Sequence, residues 1–408
     1  MLSARSGADS WSGDLLPLFD LRSRENRLRA IIWNMLIGIE ASRANRLQKT
    51  GVEWYAYHLI QQLKSLPEAH KHSWLLYSND SLSQGLEKGP TNWHERRLSW
   101  PPKYLWTQIR LSLEMGLRSP EVLFVPAHVL PRISPARSVV TVHDVGFHRF
   151  PQLYKPRQVA YHEWSTKDIF RRAARILTVS AFSKQEMVEF YKVDPDRIFV
   201  THLGIDHERL VRLTEQEARK RIDAWNIPGP FFIAIGRLEH KKNITTLIEA
   251  FHLLKRHRGK GDETSLVLVG QPGAGFEEIQ TRASKADIRS FVRMIGYASE
   301  EQKIALLSQA AALVHPSWYE GFGIPPLEAM ACGCPVISSR ASSLPEVIGI
   351  ENALWFDPGD PETLAAHMDH VLRDHSTRAD LAKRGSHFVR RYTWEETARQ
   401  TLRHLTVW

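Results

Sequence analysis

At 408 residues, 43% of them apolar and 24% charged, the chain is too long for one core and has the make-up of a soluble globular protein of two domains or three. Its longest apolar run, residues 30–39, is broken by Asn34 and Gly38 and falls short of the roughly 20 residues of a membrane span, so no integral membrane segment is expected. The net charge of +9 lies wholly in residues 1–200, where 28 Lys and Arg stand against 19 Asp and Glu, while residues 201–408 hold 26 of each kind.

The first 34 residues lack a basic stretch leading into an apolar core and cleavage site, so secretion by that route is not expected, and they read as a peripheral or poorly ordered extension. Basic clusters at Arg22/Arg24/Arg27/Arg29 and Arg171/Arg172/Arg175 fit either a solvated surface or a face that contacts an anionic membrane or a polyanionic acceptor. No recognised nucleic-acid module is present, so nucleic acid is not an expected partner.

From Met35 the chain alternates short β-type runs with longer helical ones: LIGIEA, GVEWYAYHLIQQLK, WLLYS, EVLFVPA, SVVTVHD, RILTVSA, SKQEMVEFY, RIFVTHLG. Such alternation predicts parallel strands with crossover helices. NIPGPF, near residue 228, punctuates a boundary, and the pattern restarts with FFIAIGRL, NITTLIEAFHLLKRH, SLVLVG, FVRMIGY, QKIALLSQA, ALVHPS, LEAMA and PVISS. Two doubly wound domains follow, residues 35–210 and 211–391. Ligands of such sheets bind beyond the carboxyl ends of the strands, so two such edges can face one cleft.

Two carboxylates in residues 318–339, WYEGFGIPPLEAMACGCPVISS, anchor the functional reading. Glu320 and Glu328 lie eight positions apart, about 12 Å if all were helical. A retaining glycosidase holds its carboxylates about 5 to 5.5 Å apart. The spacing instead suits two acceptors gripping opposite ends of a long polyhydroxylated ligand, with Gly321 and Gly323 baring backbone N–H groups at a helix start. His143 and Asp144 follow the β-rich run SVVTV, at a strand's carboxyl edge facing the cleft. The other histidines, His315 apart, read as structural. Cys332 and Cys334 lack companion ligands and read as buried small residues in a reducing cytoplasm.

The Glu320–Glu328 string resembles the nucleotide-binding signature of retaining glycosyltransferases of the GT-B fold, family 4. The likeness continues through ISSRASSLPEVIG and ALWFDPGD, and upstream through GVEWYAYHL, VVTVHDVGFHRFP, ILTVSAFSK, IAIGRLEHKKN and LVLVGQPG, covering roughly residues 35–400. It implies two Rossmann-like domains facing across a cleft, with residues 392–408 crossing back as a helix that completes the first.

By this resemblance Glu320 accepts from donor-sugar hydroxyls, the backbone of Gly321, Phe322, Gly323 and Ile324 meets sugar and phosphate oxygens, and Glu328 binds the ribose. Arg237 and Lys242, in GRLEHKKN, match the family's clamp for the diphosphate, and the Lys-Asn pattern selects Lys242 over Lys241. His143 contacts the donor sugar near the reaction centre, and Asp144 either orients it or contacts the acceptor. Gly51 opens a helix whose start faces the diphosphate. Tyr297 lies where relatives hold the base through the backbone, and a core tyrosine fits that position equally well.

Asp194-Pro195-Asp196 resembles the family's turn before a strand rather than a metal motif, so neither metal nor cofactor is expected beyond a nucleotide-diphosphate sugar as donor substrate. The resulting expectation is a cytoplasmic, retaining hexosyltransferase acting on a saccharide or lipid-linked acceptor in cell-surface polysaccharide synthesis. VTVHDVGFHRFP favours mannose from GDP-mannose. A UDP-hexose transferase, a sugar-nucleotide 2-epimerase of the same fold and a catalytically silent assembly partner are the alternatives.

Overall fold

The computed structural model describes residues 35–408 except 103 and 128; the N-terminal extension, with Arg22, Arg24, Arg27 and Arg29, lies outside the described residues. Seven parallel strands form the first sheet: β1 (Leu36–Glu40), β2 (Ser73–Ser78), β3 (Trp93–Arg97), β4 (Val122–Val125), β5 (Arg137–Thr141), β6 (Arg175–Thr178) and β7 (Ile198–Val200). Their order is β3-β2-β1-β4-β5-β6-β7. A second parallel sheet holds β8 (Phe231–Ile235), β9 (Ser265–Val269), β10 (Val292–Gly296), β11 (Ala312–His315), β12 (Val336–Ser339) and β13 (Leu354–Phe356), ordered β10-β9-β8-β11-β12-β13. Both orders reverse direction once, between β1 and β4 and between β8 and β11, and such reversals open the crevice where doubly wound sheets bind ligands.

The central strands are buried on both faces, as VLFV in β4, SLVLV in β9 and ALVH in β11 show, because helices cover each side of a parallel sheet. Edge strand β3 (WHERR) has no apolar alternation, which is why its sequence does not announce it.

Helix Gly51–Ser65 follows β1, and the Glu53 carboxylate accepts the Thr50 N–H at 3.1 Å, fixing its start. Helix Trp394–Thr406 returns to this first layer. Thr393 bridges Ile205 in parallel, and the Arg175 guanidinium donates to the His404 carbonyl at 2.8 Å. Gly204 allows the crossing, since a Cβ there would lie 2.1 Å from the Trp394 nitrogen. Ala398, Leu402 and Leu405 on the returning helix are buried in the same apolar cluster as Tyr55, Leu59 and Leu63.

Candidate active site

Strand β11 ends at His315, and residues 316–323 lead into helix Ile324–Ala331. Glu320 is held there by a convergent set of donors: its Oε1 receives Lys242 Nζ at 2.5 Å, Ser317 Oγ at 2.7 Å and His315 Nε2 at 2.8 Å. Its backbone is fixed too, with the N–H donating to Ser342 Oγ and the carbonyl accepting from Ser343 Oγ, both at 2.9 Å. Burial by itself would raise this carboxyl, but Lys242 and His315 hold it well below the usual carboxylate range. Glu320 is therefore an anion at neutral pH. Among the described residues no hydrogen bond reaches Oε2, which leaves that oxygen as an acceptor for a ligand hydroxyl.

Lys242, Arg237, Gly236, His315 and Ser317 line one small cavity at the carboxyl ends of β8 and β11, at the sheet's reversal point. Arg237 is exposed, and no acidic side chain pairs with it among the described residues. Lys241 is not a bystander. Burial would lower its ammonium, yet Asp144, Glu320, Tyr154 and Glu239 raise it above the usual lysine range, so it lies in the field of carboxylates from both domains.

Backbone donors at the start of helix Ile324–Ala331 come from the preceding loop, because Pro325 and Pro326 carry no N–H. Among the described residues the N–H groups of Gly321, Phe322, Gly323 and Ile324 donate to no protein acceptor. They are free to meet an anion.

Across the cleft, His143 and Asp144 follow β5. His143 is 8% exposed, its Nε2 lies 3.3 Å from the Pro126 carbonyl, and the Tyr55 ring stands edge-on at 4.7 Å. Burial pushes its pKa down to about 4, so the ring is neutral at pH 7. Asp144 Oδ1 accepts the Gly146 N–H at 2.8 Å. Against this pair sits Gly321, whose carbonyl accepts from Ser180 Oγ at 2.7 Å and Ser183 Oγ at 3.3 Å. Next to it, the Tyr319 hydroxyl donates to Glu186 Oε2 at 2.6 Å. Glu346 accepts the Ala181 and Phe182 N–H groups at 2.8 and 3.1 Å, the first two donors of helix Ala181–Tyr191. The two domains thus meet along the Glu320 loop.

Glu328 and Gly51 line a second cavity of about 210 Å³ between the domains, together with Trp54, His58, Lys303 and Trp394. Lys303 Nζ donates to Glu328 Oε1 at 2.7 Å and pairs with Glu300 at 3.0 Å. Tyr297 is 74% exposed and lies outside this cavity, so the core-tyrosine reading does not hold.

Residues 215–388 match the family model of glycosyl transferases group 1, and residues 49–209 match glycosyltransferase family 4. The O-antigen chain mannosyltransferase B of Escherichia coli is 33% identical over 269 residues, 65% of this chain and 69% of that protein. This chain belongs to the group 1, family 4 glycosyltransferases. A serotype-specific mannosyltransferase of Escherichia coli, WbdA, is 28% identical over 278 residues, 67% of this chain but 34% of the relative's own length. Sucrose-phosphate synthase from Thermosynechococcus elongatus superposes with a TM-score of 0.70 at 20% identity, covering 90% of this chain and 98% of that one, a likeness of GT-B fold.

For a family 4 glycosyltransferase, the structure adds residues that the sequence reading left without a role. His315 and Ser317 fix Glu320, Lys303 holds Glu328, and Ser180, Ser183 and Glu186 receive the loop from the other domain. His315 had a local signal, as the last residue of a strand five positions before Glu320. Lys303 had none, because it reaches Glu328 from a separate helix, Glu300–Gln309.

Proposed function

We propose that this glycosyltransferase moves a mannosyl group from GDP-mannose to a saccharide or lipid-linked acceptor, with retention at the anomeric carbon and no metal cofactor. The observation that carries this reading is the convergence of Lys242, His315 and Ser317 on one oxygen of Glu320, with Arg237 in the adjoining cavity. Glu320 Oε2 accepts donor-sugar hydroxyls, and Glu328, steadied by Lys303, accepts from the ribose. The mannosyl choice is supported by the mannosyltransferase relatives and by the segment around His143.

Cleavage of the bond between the anomeric carbon and the diphosphate leaves charge on the departing oxygens. Arg237, Lys242 and the loop N–H groups meet that charge, supplying what a divalent cation supplies elsewhere. The acceptor hydroxyl attacks from the leaving-group face, its proton passing to a phosphate oxygen. His143, kept neutral by burial, sets no cation against the developing oxocarbenium character of the sugar. Asp194 serves a turn: its Oδ1 accepts the Asp196 N–H at 3.0 Å. Buried free thiols at Cys332 and Cys334 fit a cytoplasmic enzyme.

Thermal melting against a panel of nucleotide sugars tests the donor. A ligand at 100 times its Kd adds about 2.7 kcal/mol, so GDP-mannose should raise the melting temperature and UDP-glucose should not. The reverse ranking overturns the mannosyl reading. Turnover abolished by EDTA and restored by manganese overturns metal independence, and an isomerised free sugar formed without acceptor identifies an epimerase.

A further inference from the structure

The basic cluster Arg171/Arg172/Arg175 is largely occupied within the fold: Arg171 and Arg172 pair with Asp168, while Arg175 donates to the His404 carbonyl and lies against the Trp408 ring. Among the described residues, a different surface of the first domain is unpartnered. Trp106–Leu111 forms a π-helical turn that runs directly into helix Ser112–Leu117. Leu105, Ile109, Leu113 and Leu117 recur every four residues, which sets them on one face. With Tyr104 and Ile133 they are between 38% and 80% exposed. The opposite face already supplies the core through Trp106, Leu111 and Met115, so burial within the domain does not account for the outer row. Ile133 extends the patch, since a Cβ on Gly116 would touch its Cδ1 at 3.5 Å.

The exposed charge along this row is cationic. Between residues 104 and 118 the sole carboxylate is Glu114, which is buried and paired with Arg96 at 3.0 Å and Arg110 at 3.5 Å. Arg118 and Arg132 are exposed. Apolar side chains bordered by cations, with no exposed carboxylate between residues 104 and 118, match the headgroup boundary of an anionic bilayer, where apolar burial and electrostatic attraction add. The same segment turns inward as well. Tyr104, Leu105 and Gln108 line a cavity of about 750 Å³ with Glu40, Arg43 and Asp80, at the carboxyl ends of β1 and β2.

We propose that the row Leu105, Ile109, Leu113 and Leu117 docks this glycosyltransferase on an anionic lipid surface, placing the adjacent cavity where the saccharide of a membrane-anchored acceptor enters. The proposal rests on the lipid-linked branch of the function above and commits to a bilayer rather than to a second copy of the chain.

Flotation of the full chain with vesicles tests it. Binding is expected to vesicles of phosphatidylglycerol and phosphatidylethanolamine, and to be at least tenfold weaker to pure phosphatidylcholine. The double variant Leu113→Glu/Leu117→Glu should lose at least tenfold in binding to the anionic vesicles, and Arg118→Glu/Arg132→Glu should lose most of the salt-sensitive part. Both variants should keep the wild-type melting shift with GDP-mannose, which reports a folded donor site. Wild-type binding that ignores lipid charge, or a leucine variant that floats as well as wild type, overturns the proposal. So does a wild-type dimer in sedimentation that the leucine variant splits while vesicles leave the protein unbound. Absence of any nucleotide-sugar shift in wild type would instead count against the donor site and leave the flotation result standing.

Discussion

Asp144 and Gly321 touch across the cleft: a Cβ built on Gly321 would lie 2.9 Å from both Cβ and Oδ2 of Asp144 and 3.1 Å from the His143 carbonyl. The Asp144 side of this contact follows β5 of the first domain, and the Gly321 side follows β11 of the second. With the Ser180 and Ser183 hydrogen bonds to the same residue, it makes the Glu320 loop the seam between the domains.

Gly321→Ala should therefore act on closure rather than on folding. The added methyl meets a Cβ and a backbone carbonyl, neither of which can swing aside, so the domains must part by part of an ångström. A displacement near 1 Å costs about 100-fold in rate for a positioned reaction. Transfer kinetics should show a loss of that order in kcat/KM, with a circular dichroism spectrum unchanged from wild type.

Glu320→Gln preserves shape and removes the charge that Lys242, His315 and Ser317 converge upon. Hydrogen bonds to a charged group contribute about 1.5 to 3 kcal/mol. A roughly 10- to 100-fold fall in kcat/KM is expected. Steady-state assays with saturating acceptor check it, and unchanged kinetics would remove Glu320 from the donor site.

Arg237 and Lys242 should separate on stability. Arg237 makes no ion pair among the described residues, so Arg237→Ala should shift stability by less than about 0.5 kcal/mol. Lys242→Ala removes the ammonium that is hydrogen-bonded to Glu320 and should destabilise by about 1 to 3 kcal/mol. Both should cost about 100-fold or more in kcat, as loss of a preorganised charge partner does. Denaturant melts beside single-turnover rates distinguish the two effects.

The His143 shift predicts a pH dependence of stability. Its folded pKa of about 4 lies below the ordinary value of 6.5, so between those limits the unfolded chain binds more protons. Stability tied to neutral His143 is fully present above pH 6.5 and is lost as pH falls toward 4, by roughly 3 kcal/mol at 1.36 kcal/mol per unit. His404 is also lowered to about 4 and contributes the same sign in both proteins. The wild-type slope between pH 6.5 and 4 should thus exceed that of His143→Gln, and parallel slopes would show that His143 is not buried neutral.

Much of the architecture was open to reading along the chain. The apolar runs LIGIEA, EVLFVPA, SLVLVG and ALVHPS are strands buried on both faces, and a parallel strand needs such a run regardless of its neighbours. Elements without a local signature escaped: β3, where WHERR sits on an edge, and helix Pro156–Arg172, where polar residues are interleaved. The choice of Lys242 over Lys241 followed from a short string, yet the string could not show that Lys241 also lies in the field of Asp144 and Glu320.

By itself, the sequence determined the two repeats of strand and helix and the family, and it singled out Glu320, Glu328, Arg237, Lys242 and His143 as candidates, because loop chemistry at strand ends is written in contiguous residues. Only the tertiary structure decided which oxygen of Glu320 is occupied, that Lys303 restrains Glu328, that Tyr297 is exposed, and that Asp144 meets Gly321. Each of these joins residues distant in sequence or depends on what packs around one of them, and neither contact nor solvent exposure exists until the sheets have folded and come together.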